Sequence, residues 1–448
     1  MEEMKKRVFG NSVWQIGEKI LTMCINVFIS ALIARYLGAE QYGIVNYVIS
    51  TVTLFTTFSV LGMETLTIND LINKPKEKNA IIGTCFTIRL IGGIVLIILS
   101  QITLYFLSDG DKKIQVLGII IGTCMLFKSF EVIEYYIQSI QNMKISAVIR
   151  FISSMVIAIY KLVVVFLDLG MIGFAFSYLV DAVIVAILFY IWYKNKYKEK
   201  WKFSKEYAKQ MLKKCWYLAL AGLMSTLYMK IDQVMLGTML TDKTQNGIYS
   251  AAVRVAELWY FVPLAIVTAF QPVIMDAKKT DEEKFLNLQQ KLYDIVAIIG
   301  VVAAIGISLF SKIIVFILYG NEYMGAASIL LISVWAGLFA TLGSARSPWL
   351  ISENLQKYTI VYISGGAIIN IILNAILIPK YGGYGAAVAT LITQMSSVII
   401  IPLFIKKVRI AAIMMIKSII KNQTVINEMK KIIKYDKYKE KKYGVKKD

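Results

Sequence analysis

Charged side chains lie within stretches of this sequence that are otherwise apolar. Three such stretches, 13–37, 84–107 and 296–318, reach or exceed the roughly 20 residues that cross a hydrocarbon core. A charge near the centre of a membrane helix costs at least about 2.5–3.5 kcal/mol on insertion scales. We therefore expect charged residues at these positions to have a role, either pairing with one another or binding a charged ligand.

The charged residues in the apolar stretches include more cations than anions, which predicts an anionic ligand. Arginine suits two-point contacts to phosphate, and lysine acts as a point charge. A polar stripe cannot face lipid, so we expect these side chains to line a wet cavity. The expected cavity cations are Lys19, Arg89, Lys128, Lys230 and Arg254, and the expected charge partners are Glu18, Glu131, Asp232 and Glu257.

Internal ion pairing is the alternative explanation of the same residues. Lys128 and Glu131 stand three positions apart, as do Arg254 and Glu257, and this spacing lets two helical side chains neutralise one another. For any single residue, a packing pair and a substrate contact are equally good interpretations. The surplus of cations is what favours a ligand.

The composition excludes several classes of protein. Of 448 residues, 57% are hydrophobic and 17% are charged, whereas a soluble domain has nearer a quarter charged. The chain has no histidine, which excludes histidine catalysis and histidine metal sites. The four cysteines show no metal spacing and there is no phosphate-binding loop, so we expect no metal and no cofactor. The net charge of +20 does not indicate nucleic acid, because the basic residues sit in short connections and in the tail.

The pattern of apolar stretches predicts an all-α polytopic membrane protein. About 12 transmembrane helices would form two pseudo-symmetric six-helix bundles, residues 1–193 and 212–405, joined by a basic linker at 194–211. A basic tail at 406–448 is either an amphipathic helix on anionic lipid or a solvated segment. The two terminal segments and alternate connections together hold 35 of the 49 basic residues. This bias places both termini in the cytoplasm and the chain in the cytoplasmic membrane.

The two predicted halves repeat a short pattern. The pattern Leu-Gly, polar turn, Gly-Ile occurs at 37–44 and again at 236–248. Gly173 in the first half corresponds to Gly385 in the second half. The offsets are close to 200–212 residues. Six spans per half is an even number, so the halves share one orientation, as in transporters whose two lobes rock about a central cavity. The repeat favours transport over enzymatic activity.

Several segments resemble one known family. "NSVWQIGEKILTMCINVFISALIARYLGAEQYGIVNY", "YMKIDQVMLGTMLTDKTQNGIYSAAVRVAELWYFVP" and "NAILIPKYGGYGAAVATLIT" are similar to segments of Wzx-type polysaccharide flippases. The resemblance covers the membrane domain, not the tail from about Lys406. It implies two six-helix bundles as in MATE exporters, and undecaprenyl-pyrophosphate-linked oligosaccharide as the substrate. Membrane lipids, and a polysaccharide polymerase that uses the flipped product, would be the partners.

Three other functions stay open on the sequence alone. A MATE-like multidrug exporter is disfavoured by the cavity cations, because typical drugs are themselves cationic. A lipid II flippase of the same superfamily typically has two more helices than this chain has room for. A membrane polymerase or glycosyltransferase would need larger loops at one membrane face than the short predicted outer connections.

Overall fold

The computed structural model describes residues 2–60, 62–197 and 200–420, without the side chains of residues 2–21, 23, 24, 217 and 221. In this part of the chain every regular element is helical, which confirms the predicted all-α class. The α-helices are α1 (Glu2–Val60), α2 (Met63–Asn73), α3 (Lys78–Leu107), α4 (Lys112–Phe127), α5 (Val132–Ser139), α6 (Met143–Phe166), α7 (Gly170–Lys196), α8 (Lys205–Met239), α9 (Thr244–Ala256), α10 (Phe261–Thr280), α11 (Glu282–Tyr319), α12 (Ala326–Ala345), α13 (Ser347–Ser352), α14 (Tyr358–Met395), α15 (Ile401–Phe404) and α16 (Arg409–Ile420). Four 3₁₀ turns (Pro75–Glu77, Lys128–Glu131, Leu258–Tyr260 and Asn321–Tyr323) and one π-helical stretch (Ser396–Ile400) connect some of them.

Nine segments of the described chain are long and apolar enough to cross a membrane, so the protein is a multi-pass membrane protein. Two of these segments, Ile25–Asn73 and Tyr358–Phe404, have 49 and 47 residues. As straight helices they would each be about 70 Å long, more than twice the roughly 30 Å of a hydrocarbon core. Each is interrupted by a glycine with positive φ, Gly38 (74°) and Gly382 (55°). Both segments therefore contain parts of two traversals.

Helix α8 is not among the nine segments, although its 35 residues are more than long enough to span. Lysines crowd its start, and Lys230 and Asp232 lie within it. These charges lower its apolarity, which is the expected cost of placing polar side chains in a span. The total of about twelve spans stays a prediction.

The chain divides into two compact units that do not follow the order of the sequence. Unit 1 comprises Met1–Val255, Lys312–Ile329 and Asn370–Ala387, and unit 2 comprises Ala256–Ser311, Leu330–Ile369 and Val388–Asp448. Unit 1 thus contains helices from both halves of the chain. The predicted division into bundles at residues 193 and 212 stays a prediction.

In unit 1 the predicted linker is part of an apolar core. Met63, Ile81 and Phe189 are fully buried in this core. The connection between α7 and α8 packs Trp201 against Phe86, with ring centroids 5.1 Å apart. Helix α7 ends at Lys196 and α8 begins at Lys205, and the described residues between them, 197 and 200–204, lie outside helices.

In unit 2 the beginning of the predicted tail is a packed helix. Met415 of α16 is fully buried in a core that contains Tyr293 and Leu342. The Ser418 hydroxyl donates to Asp294 Oδ1 of α11 at 2.7 Å. One face of α16 therefore contacts protein. Residues 421–448 lie outside the described part of the chain, and contact of the tail with lipid stays a prediction.

Candidate functional site

Helices from the two halves of the chain meet inside unit 1 through charged side chains at helix ends. Arg35 Nη2 of α1 donates to the carbonyl oxygens of Phe316 (3.0 Å) and Ile317 (2.6 Å) at the end of α11. The Ala39 N–H, just beyond the Gly38 kink, donates to Glu322 Oε1 at 2.6 Å. A cation at a helix C-terminus and a carboxylate at the start of a helical segment both complement the helix dipole.

The backbones of α1 and α9 touch beside these contacts. A Cβ at Gly43 would lie 2.0 Å from the Lys243 carbonyl oxygen, and one at Gly247 would lie 1.9 Å from the Ala39 carbonyl oxygen. Asn246 Nδ2 donates to the Gly43 carbonyl oxygen at 3.0 Å. No side chain larger than hydrogen fits at either glycine. We call the contacts among residues 34–43, 243–247 and 316–323 the closure.

Lys243 joins the closure to the end of α8. Its ammonium donates to the carbonyl oxygens of Gly237 and of Leu240, the latter at 2.8 Å, which caps the helix C-terminus. Burial lowers the pKa of this ammonium, although the carboxylates of Asp111 and Asp109 act in the opposite direction. The lysine therefore supports the closure from the turn between α8 and α9.

A second charged cluster lies among α3, α5, α6 and the 3₁₀ turn before α5. Arg89 Nη2 pairs with Glu131 at 2.8 Å, and its Nη1 donates to the Tyr135 hydroxyl at 2.7 Å. Arg150 pairs with Glu131 at 3.1 Å and with Glu134 at 2.5 Å. We call Arg89, Glu131, Glu134 and Arg150 the ion network. Two cations and two anions leave it without net charge.

The structure separates the predicted cations into paired and unpaired residues. Arg89, expected to line a cavity, is 1% exposed and holds Glu131. Glu131 pairs with Arg89 and Arg150, and Lys128 is not within 4 Å of it. Lys128 and Lys230 are half-buried, and neither forms an ion pair with a carboxylate among the described residues. The sequence offered no sign that Arg150 would join Glu131, because the two lie on different helices.

Arg254 is exposed at the end of α9, within unit 1. Its positive charge acts on the ammonium of Lys161, which lies on α6 of the same unit. Lys161 is buried, with Nζ 5.6 Å from the ring centroids of Phe174 and Tyr178. Two cations from different halves of the chain thus lie near one another among aromatic rings.

Asp232 is buried, and its carboxylate accepts hydrogen bonds from the neutral side chains of two other helices. The Tyr249 hydroxyl donates to Oδ2 at 2.7 Å, and Asn374 Nδ2 donates to Oδ1 at 2.6 Å. Asn374 also donates to Asn370 Oδ1 at 3.0 Å. Asp232 therefore ties α8 to α9 and α14, and its expected role as a partner of Lys230 stays a prediction.

The remaining expected site residues are Glu257, Lys19 and Glu18. Glu257 is exposed in unit 2 and precedes the turn Leu258–Tyr260, and its pairing with Arg254 stays a prediction. Helix α1 includes positions 18 and 19, but their side chains lie outside the described residues. In the described part of the chain, no three acidic or cysteine side chains come together as a metal site.

Comparison with known families and proteins gives matches by sequence. A model of the family described as polysaccharide biosynthesis protein matches residues 8–278. The uncharacterized membrane protein YabM of Bacillus subtilis (strain 168) is 26% identical over 150 residues. That alignment covers 33% of this chain and 28% of YabM, so the chain matches little more than a quarter of this relative's length.

Solved structures match over nearly the whole chain. The lipid II flippase MurJ in an inward closed conformation superposes with a TM-score of 0.73 at 18% identity, covering 93% of this chain and 92% of MurJ. An outward-facing multidrug resistance MATE family transporter of the MOP superfamily gives a TM-score of 0.65 at 14% identity, covering 90% and 96%. At these identities the likeness establishes a fold, and the fold is that of MOP superfamily transporters.

Proposed function

Because this chain belongs to the polysaccharide biosynthesis protein family and has the fold of MOP superfamily transporters, we propose that it is a flippase for undecaprenyl-pyrophosphate-linked oligosaccharide. It moves this lipid from the cytoplasmic to the outer leaflet of the cytoplasmic membrane by alternating access. Both termini lie in the cytoplasm, following the bias of basic residues described above.

The observation that carries this proposal is the closure. With this orientation the turns that contain Gly38 and Lys243 lie on the outer side, so the closure shuts the route to the outer leaflet. Its described contacts between the two halves of the chain include hydrogen bonds to backbone groups, such as those of Arg35 and Glu322, beside the buried rings of Tyr42 and Tyr323. Each such bond contributes only about 0.5–3 kcal/mol net. A seal of this kind can open in every cycle.

The cations of unit 1 suit the anionic head of the proposed substrate. Lys128 and Lys230 have no carboxylate within 4 Å among the described residues, and Arg254 is exposed. A pyrophosphate can be held by lysines as point charges and by arginine through two hydrogen bonds. The same cations disfavour a cationic drug as substrate.

Cells in which the gene is deleted test the class of function. We expect lipid-linked repeat units to accumulate on the cytoplasmic leaflet, with little polymer outside. Purified protein in vesicles should expose a fluorescent lipid-linked oligosaccharide to an external quencher without changing its mass. Formation of glycosidic bonds by the purified protein would show a polymerase or glycosyltransferase instead.

Variants of the cations test the site. Lys128→Gln with Lys230→Gln should slow flipping about tenfold or more, whereas Lys128→Arg with Lys230→Arg should be tolerated better because the charge survives. Lys112→Gln, at an exposed position at the very start of α4, is the matched control. Normal flipping by the abundant double glutamine variant would place the pyrophosphate elsewhere.

A further inference from the structure

The connection that enters α8 is anchored to unit 1 by its backbone. The Lys202 N–H donates to the Asn79 carbonyl oxygen at 3.1 Å. The Ser204 N–H donates to Thr84 Oγ1 at 2.9 Å. Residues 202–216, which we call the juxtamembrane segment, are therefore held in a defined orientation against α3.

One face of the juxtamembrane segment is buried. Tyr207, Met211 and Cys215 recur every four residues along α8 and are 8%, 2% and 0% exposed. The Tyr207 hydroxyl donates to Asp70 Oδ2 of α2 at 2.8 Å. This periodicity leaves the opposite face of the helix turned away from the protein.

The opposite face is basic. Lys205, Lys209 and Lys213 also recur every four residues, and all three are exposed. None of them has a carboxylate oxygen within 4 Å among the described residues, although Glu206 is exposed in the same turn. By contrast, Lys278 in unit 2 is engaged by two glutamates. The three lysines remain available for an external anion.

Large apolar side chains lie among and beyond these lysines. Leu212 and Trp216 are 46% and 62% exposed, and Phe203 is 57% exposed. After Trp216 the exposed residues of α8 become apolar, beginning with Leu218 and Leu220. A change from basic to apolar with tryptophan at the boundary is the pattern of a membrane–water interface.

We propose that the exposed face of the juxtamembrane segment is a binding site for anionic phospholipid headgroups of the cytoplasmic leaflet. Lys205, Lys209 and Lys213 contact the phosphates, while Trp216 and Leu212 insert at the base of the headgroups. The 35 residues of α8 are about 52 Å long, so roughly 15 residues project beyond a 30 Å core. An acidic soluble protein could meet the lysines, but it would not cover apolar side chains at the membrane boundary. The proposal rests on the orientation given above and not on flippase activity.

The test uses the purified full chain and lipids of stated charge. Native mass spectrometry and thermal unfolding would compare phosphatidylglycerol with phosphatidylcholine as the added lipid. A lysine near an anionic surface strengthens binding about fivefold, so the triple variant Lys205→Gln, Lys209→Gln, Lys213→Gln should lose about 100-fold in preference for phosphatidylglycerol. The corresponding triple arginine variant should keep the preference, which shows that the fold is intact.

A matched control removes three exposed lysines outside the segment. Lys112→Gln, Lys113→Gln, Lys380→Gln changes the net charge by the same amount and should leave the preference unchanged. The proposal is overturned if the juxtamembrane glutamine variant still prefers phosphatidylglycerol as strongly as the wild type. It is equally overturned if the control variant loses the preference to the same extent as the juxtamembrane glutamine variant. No transport is measured, so a failure of the proposed function would not alter either result.

Discussion

Charged residues in unit 1 fall into two groups with different physical roles. A guanidinium that is 1% exposed, as in Arg89, must have its charge compensated, and Glu131 compensates it. Lys128 lies one helical turn before Glu131 but outside its ion pairs. The paired arginine stabilises the bundle, whereas Lys128 is the cation that we propose contacts the ligand.

Substitution of these two cations should separate stability from transport. Arg89→Met leaves Glu131 and Glu134 with one cation, and removal of one partner of a buried pair costs about 3–5 kcal/mol. We expect a lower midpoint of thermal unfolding and low abundance in the membrane. Lys128→Met should unfold at the wild-type temperature and flip substrate more slowly.

Export normalised to abundance decides between the two roles. A stable and abundant Arg89→Met protein that no longer flips substrate would make Arg89 a substrate contact. The same assay on Lys128→Met serves as the reference, since both variants lose one positive charge.

Only part of the charged site could be predicted residue by residue from the sequence. Spacing along one helix shows that Lys128 and Glu131 share a face, but it does not show which neighbouring helix supplies the stronger partner. Arg150 lies on α6, and its distance to Glu131 depends on how α6 packs against the turn before α5. The sequence therefore indicates that Glu131 needs a cationic partner, but it does not indicate that Arg89 and Arg150 are those partners.

At the scale of elements, the closure depends on helix ends. Glu322→Ala removes both the hydrogen bond to the Ala39 N–H and the charge at the start of the segment after Gly38. Loss of a cap of this kind costs about 1–2 kcal/mol, so the ratio of closed to open molecules should fall about 5–30-fold. Spin labels at Glu40 and Asp242, both exposed, report the change as a longer distance.

Glu283→Ala is the control for Glu322→Ala. Glu283 is exposed in α11 and forms no ion pair within the described residues. If the two variants give the same distance distribution as the wild type, the hydrogen bond of Glu322 does not hold the closure.

The glycine contact gives a second prediction for the closure. A methyl group at Gly247 would lie 1.9 Å from the Ala39 carbonyl oxygen, so Gly247→Ala must push α1 and α9 apart. Gly92→Ala has nothing within 4 Å of the new methyl group and should be neutral or slightly stabilising. Cross-linking between cysteines that replace Glu40 and Asp242 should be slower in Gly247→Ala and unchanged in Gly92→Ala. Equal rates would mean that the backbones yield without opening.

The repeat in the sequence identifies two of the glycines that form the closure. Gly43 and Gly247 occupy equivalent places in the two occurrences of the Gly-Ile pattern, and in the structure they lie side by side. The sequence could not predict that contact, because equivalence in a repeat does not set the distance between its copies. The sequence also predicts residues 194–211 as a linker, whereas the packing of Trp201 depends on the ring of Phe86 on α3.

For the whole molecule, the orientation is the property to test. Cysteines at Lys200 and Lys278 should react only with reagents that reach the cytoplasm, and cysteines at Lys112 and Tyr381 only with reagents outside. Three of the native cysteines are buried and should contribute little background. Labelling of a cysteine at position 200 from outside would show that the orientation is the reverse and that the closure lies on the cytoplasmic side.

The ion network and the unpaired lysines differ in their response to membrane voltage. The network carries no net charge, so displacing it as a body does no electrical work. Lys128 and Lys230 carry charge without ion pairs among the described residues, and each unit charge moved across the membrane is worth about 2.3 kcal/mol per 100 mV. In the function we propose, a bound pyrophosphate offsets this charge, so voltage should act on the return of the empty carrier. An imposed potential should therefore change repeated turnover in vesicles more than a single turnover, and equal effects would contradict this.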